Sequence, residues 1–150
     1  MRKLILLLAV LAMATVLAAC GGGSEPAAPA APAPATTTGG NAANGQTLFS
    51  QSILGGNAGC ITCHSLEAGK TLVGPSMAGI ASRAGSTVPG ESAEQYIRTS
   101  IIDTNAFLAK GCNANDPQAQ CAAGIMPQNW PEKLSAQEID DLVAYLLTLK

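Results

Sequence analysis

The chain has 150 residues, a length suited to one domain, with 12% charged residues and a formal charge of −2. It has no cluster of Lys or Arg, which argues against nucleic acid as a partner. The single histidine, His64, excludes most multi-histidine metal sites, any Ser-His-Asp site not built around it, and haem held by two histidines of this chain. Hydrophobic residues reach 47% but aromatics only 3%, namely Phe49, Tyr96, Phe107, Trp130 and Tyr145. The core is therefore made of small aliphatic side chains or filled by another group.

At the N-terminus, Arg2 and Lys3 precede an apolar run over 4–19 that only Thr15 interrupts. A short positive region, an apolar stretch and small residues at its end describe a secretory signal, expected over 1–19. The run has 16 residues. A membrane-spanning helix needs about 20. Leu17-Ala18-Ala19-Cys20 resembles the lipobox of bacterial lipoproteins, in which the cysteine after the cut carries lipid. That resemblance implies several acyl chains on Cys20, and stable anchoring takes two or more. The expectation is an exported protein, lipid-anchored on the outer (periplasmic or extracellular) side of a bacterial membrane. Loss of Arg2 and Lys3 would take the formal charge from −2 to −4.

Residues 21–40 read GGGSEPAAPAAPAPATTTGG, Gly-rich at both ends and Ala-Pro-rich between. No packed core forms from this composition, and its prolines favour extended polyproline II, with a reach of roughly 60 Å at ~3.1 Å per residue. The lipidated cysteine and tether are assigned to 20–43 and the folded domain to 44–150.

Within the domain, a first helix is expected over 43–53 with Phe49 facing inward. Gly45 either lets two helix backbones cross closely or marks a frayed helix start. Next comes Cys60-Ile61-Thr62-Cys63-His64, whose C-x-x-C-H spacing reads as a c-type haem attachment. The two thiols add to the haem vinyl groups, and the histidine directly after them is carried beneath the iron. A thioredoxin-like redox pair, a zinc site using Cys60, Cys63, Cys112 and Cys121, and coincidence are the competing explanations.

A third helix is expected over 92–102, where Ser92-Ala93-Glu94-Gln95 forms a capping box and Ile97 and Ile101 share a face. Cys112 and Cys121 are the thiols left once Cys20 takes lipid and Cys60 and Cys63 take haem. An exported chain permits a disulfide between them, and two unpaired thiols are the alternative. Two methionines, Met77 and Met126, could supply a sixth ligand to iron. Trp130 is expected near the Met126 loop, as core or as a haem contact. The last helix follows the capping box Ser135-Ala136-Gln137-Glu138, with Ile139, Leu142, Val143 and Leu146 at helical spacing. No alternating run argues for a sheet.

Taken together, residues 44–149 resemble a class I cytochrome c. Gly45-Gln46-Thr47-Leu48-Phe49 is similar to the family's G-x-x-x-F on its first helix. Gly74-Pro75-Ser76-Met77-Ala78-Gly79 is similar to its G-P-x-L-x-G segment, Met126-Pro127 to its ligand methionine, and Leu142-Val143-Ala144-Tyr145 to the L-x-x-Y of its last helix. The resemblance implies an all-α fold of three main helices wrapped round one covalently attached haem c. It implies a Pro75 carbonyl that accepts a hydrogen bond from His64, and His64 and Met126 as iron ligands. Two departures stand out. A glycine-rich insert, 53–59, precedes the haem motif, and Met77 stands where Leu is commoner.

The implied function is transfer of single electrons between redox protein partners, without enzymatic activity. The protein would be a shuttle or a fixed subunit of a respiratory or photosynthetic quinol-oxidising assembly such as alternative complex III. A haem enzyme or sensor with an open sixth position, binding peroxide or a small gas, is the other reading.

Overall fold

The computed structural model describes residues 39–150. The expected signal, the Cys20 lipidation site and nearly all of the tether lie outside the described residues. In chain order the elements are α1 (Ala42–Phe49), β1 (Ile53–Leu54), β2 (Asn57–Ala58), α2 (Cys60–Cys63), α3 (Ile80–Arg83), a 3₁₀ turn (Ala84–Ser86), α4 (Ala93–Ile102), α5 (Trp130–Lys133) and α6 (Ala136–Leu146). Among the described residues no helix is long and apolar enough to cross a membrane.

Helix α1 starts where Asn41 supplies an N-cap, its Oδ1 accepting from the Ala43 and Asn44 N–H groups at 2.9 and 3.2 Å. It stops at Phe49, short of the expected Ile53. The Thr47 and Ser50 hydroxyls donate back to the Ala43 and Gln46 carbonyls, a competing pattern that suits a helix end. The residues beyond form an antiparallel hairpin with Ile53 opposite Ala58 and Leu54 opposite Asn57. Gly55 and Gly56, at φ +57° and +87°, make its two-residue turn, where both positions need the left-handed region. The expectation of no sheet is thus corrected by one small hairpin in a chain that is otherwise helical. Strands of two residues are too short to show alternation.

The three main helices are α1, α4 and α6. Their caps follow the expected pattern. Ser135 accepts from the Glu138 N–H while Glu138 accepts from the Ser135 N–H, and Ser92 and Gln95 repeat the arrangement on α4. Helix α6 buries Ile139, Leu142, Val143, Tyr145 and Leu146. It crosses α1 so closely that a Cβ on Gly45 would fall 2.7 Å from Tyr145 Cβ and nearer still to the Asp141 carbonyl. Gly45 therefore serves the close crossing. Beside it, the Phe49 and Tyr145 rings meet at a tilt of 57° with centroids 5.5 Å apart. The Asn41 N–H donates to Asp141 Oδ1 at 2.6 Å, so this residue packs with the domain. Helix α4 joins α6 through Tyr96, Ile97 and Ile101 and through an Arg98–Asp140 ion pair that is largely buried. Removing one partner of such a pair leaves an uncompensated charge.

Candidate functional site

Cys60 opens α2, and the His64 N–H closes its single turn on the Cys60 carbonyl at 2.9 Å. The i,i+3 spacing places the Cys60 and Cys63 thiols on one side of that turn. His64 leaves it in extended conformation, φ −119° and ψ 126°. The following segment folds back along the ring. The Gly74 N–H donates to the Cys63 carbonyl at 2.8 Å, the Met77 N–H donates to the Ser65 carbonyl at 2.8 Å, and His64 Nδ1 lies 2.9 Å from the Pro75 carbonyl oxygen. The carbonyl can only accept, so Nδ1 carries the hydrogen and the lone pair of Nε2 is left for a metal. Burial pushes the imidazole below its ordinary pKa, partly offset by the Pro75 bond, so the ring is neutral at neutral pH.

Cys60, Cys63, His64 and Met126 all line one cavity of 530 Å³. Its walls are chiefly apolar: Phe49 from α1, Ile97 and Ile101 from α4, and Leu142 and Leu146 from α6. The volume is within the roughly 300–1,000 Å³ of cofactor pockets. Trp130 also lines the cavity, is 3% exposed, and its indole N–H has no hydrogen-bond partner among the described residues. A buried donor in an apolar wall fits a bound group with a polar edge. The residues present thus fit a haem joined at Cys60 and Cys63.

The competing explanations of C-x-x-C fail on structure. Burial, with the neighbouring Cys63 thiol adding to it, pushes Cys60 up to about 11. A thioredoxin-like pair needs a βαβ setting, and here the motif follows a two-strand antiparallel hairpin in an otherwise helical domain. The zinc quartet cannot assemble, because Cys112 and Cys121 are joined to each other in a disulfide, with Cα atoms 5.0 Å apart.

Both methionines line the cavity, from different segments of the chain. Met77 stands two residues after Pro75, in the segment that backs His64. Met126 comes from the long connection after α4, where the Thr104 hydroxyl reaches the Met126 carbonyl at 3.5 Å and the Gly124 N–H donates to Asn105 Oδ1 at 3.0 Å.

Some functional residues were not singled out by sequence reasoning. A Cβ on Gly74 would fall 2.8 Å from His64 Nδ1, so only glycine lets the chain lie against the ring. Its place before Pro75 was the available signal. The bond between Asn57 and Asn129 had none, since 72 residues separate the two.

The cytochrome c family profile matches residues 42–150, and the chain belongs to that family. It is 33% identical over 125 residues to a cytochrome c2 of Rhodopseudomonas palustris, covering 73% of this chain and 99% of that protein. It is 34% identical over 95 residues to cytochrome c2 iso-2 of Magnetospirillum molischianum, covering 61% of this chain and 91% of that one. No solved structure gives a significant match. The protein is a class I cytochrome c similar to cytochromes c2. It carries one covalent haem c through Cys60 and Cys63 and is an electron carrier rather than an enzyme, which sets aside the reading as a haem enzyme.

Proposed function

We propose that the protein is an exported, lipid-anchored cytochrome c that passes single electrons between redox complexes on the outer side of a membrane, and that His64 and Met126 are the residues that would hold the haem iron. The observation that supports the ligand assignment is the shared cavity, lined both by His64, whose Nδ1–H is held by Pro75 O, and by Met126 from a distant segment of the chain. When bound, the haem supplies an iron that alternates between ferrous and ferric. The protein's part is to hold it. Cys60 and Cys63 secure the ring, and Pro75 and Gly74 fix the plane of His64. The apolar walls exclude water and so limit the reorganisation that accompanies a change of charge. A neutral thioether from Met126 favours the ferrous state and raises the potential. The sequence supports the anchor through Leu17-Ala18-Ala19-Cys20 and the tether that follows.

Potentiometric titration tests the carrier. A single reversible one-electron wave is expected, moved to lower potential in Met126→Ala, which should also bind cyanide. An unchanged potential in that variant would remove Met126 from the iron. Fractionation tests the anchor: Cys20→Ala should release the domain from membranes with its haem intact, and wild-type protein found wholly soluble after export would contradict lipidation.

A further inference from the structure

The glycine-rich insert before the haem motif is the part of the chain that the carrier function leaves unused. In the structure it is the β1–β2 hairpin, which contributes Leu54, Ala58 and Gly59 to the lining of the haem cavity. At one end the Gly59 N–H donates to the Ser52 carbonyl at 2.8 Å, and Gly59 leads directly into Cys60. Within the hairpin, Leu54 is 3% exposed and lines the cavity. At the far side Asn57 Nδ2 donates to Asn129 Oδ1 at 2.9 Å, in a partly buried bond. The turn also leans on α5, where a Cβ on Gly55 would fall 2.7 Å from Lys133 Cβ.

Asn129 is the informative residue. It stands three positions after Met126 and is the N-cap residue of α5, yet its side chain makes no capping bond. Position N2 of that helix is Pro131, which has no N–H, and the Glu132 N–H already donates to the Asn129 backbone carbonyl at 3.1 Å, so the side-chain oxygen is left for another donor. Here that oxygen accepts from the hairpin. That bond ties the chain beside Met126 to the chain that carries the thioether cysteines.

We propose that the β1–β2 hairpin is a brace for the sixth ligand, with Asn57 and Gly55 as positioning residues that hold the Met126 loop against the cavity. The proposal rests on Met126 as ligand. For Met126 to leave the iron, its loop must move away from the cavity, and the Asn57–Asn129 bond would break with that movement. An external ligand reaches the ferric iron only in the open form, so its apparent affinity scales with the open fraction. Losing one net hydrogen bond from the closed form raises that fraction about fivefold.

The test is a titration of the ferric holoprotein with imidazole, read by absorption. Asn57→Ala should bind imidazole about fivefold more tightly than wild type, by the worth of one hydrogen bond. Gly55→Ala should shift affinity the same way, because its added Cβ presses the turn off Lys133. Asn57→Ala with Asn129→Ala should bind no more tightly than Asn129→Ala alone, since both remove one bond. Asn41→Ala, which removes the α1 cap, should lower thermal stability without changing imidazole affinity, separating bracing from general destabilisation. Wild-type affinity in both Asn57→Ala and Gly55→Ala, with the methionine-to-iron charge-transfer band present in wild type, would overturn the brace alone. Absence of that band from wild type would overturn the ligand assignment and the brace with it.

Discussion

The α1–α6 crossing and the connection over residues 103–129 both wall the haem cavity, and they are held by different forces. At the crossing, two amphipathic helices meet at Gly45 and bury Phe49, Leu142, Val143 and Tyr145. Those contacts are between protein atoms. The connection contains no helix and leaves Phe107 and Ile125 exposed at 38% and 59%. It is held by the Cys112–Cys121 disulfide, by bonds from the Gly111 and Cys121 N–H groups to the Ala119 and Ala109 carbonyls, and by the Thr71 hydroxyl on the Gly111 carbonyl. One wall is close-packed and the other is stapled. Damage to either wall should appear in stability, and only loss of Met126 from the second should appear at the iron.

Gly45→Ala strikes the first wall hardest. Its Cβ would meet Asp141 backbone and Tyr145 Cβ, atoms that cannot yield without separating the helices. Overpacking of this kind costs about 3 kcal/mol, a fall in Tm of ~10–20 °C for a domain of this size. Thermal unfolding of the holoprotein measures it, and an unchanged Tm would mean that the helices do not cross so closely.

Replacing both Cys112 and Cys121 by serine comes next. The bridge joins cysteines nine positions apart, and the chain-entropy picture gives a loss of about 2.5 kcal/mol. The ferric spectrum should stay similar, because Thr71 still holds the loop at Gly111. Non-reducing mass spectrometry checks the bridge itself. Two alkylatable thiols in the folded wild-type protein would refute it.

The smallest effect is pH-dependent and returns to the crossing. The Asn41 N–H, then the Gln137 amide, hold the Asp141 carboxyl below its ordinary value against the opposing effect of burial. A carboxylate whose folded pKa is depressed contributes stability that is fully present above its unfolded value, ~3.9, and lost as pH falls through the folded one. Wild type should therefore exceed Asp141→Asn in Tm near neutral pH, and the gap should close below pH ~4. A gap that widened with acid would reverse the sign of the argument.

The same division explains what could be read in the sequence. Helices α4 and α6 were legible because their signals are local: Ser92 with Gln95, Ser135 with Glu138, and apolar residues at helical spacing. Cys60, Cys63 and His64 were legible because covalent haem attachment needs them adjacent. The Cys112–Cys121 bridge followed from counting thiols. What was not legible depends on partners distant in sequence. Asn41 gained its place from Asp141, across 100 residues. The Gly55-Gly56 turn was visible as an insert, but strands of two residues carry no alternation, and Asn129 on the opposite wall gives no mark of its bond to Asn57. Gly74 was quoted within a motif, while its role depends on where the His64 ring lies.

The central claim is that His64 and Met126 hold the iron and that Met77 does not. The ferric absorption spectrum tests it most directly, compared across wild type, Met126→Ala and Met77→Leu. The account predicts a methionine-to-iron charge-transfer band in wild type and Met77→Leu, the latter keeping nearly the same volume and polarity, and its loss in Met126→Ala. A band abolished by Met77→Leu and kept in Met126→Ala would contradict it.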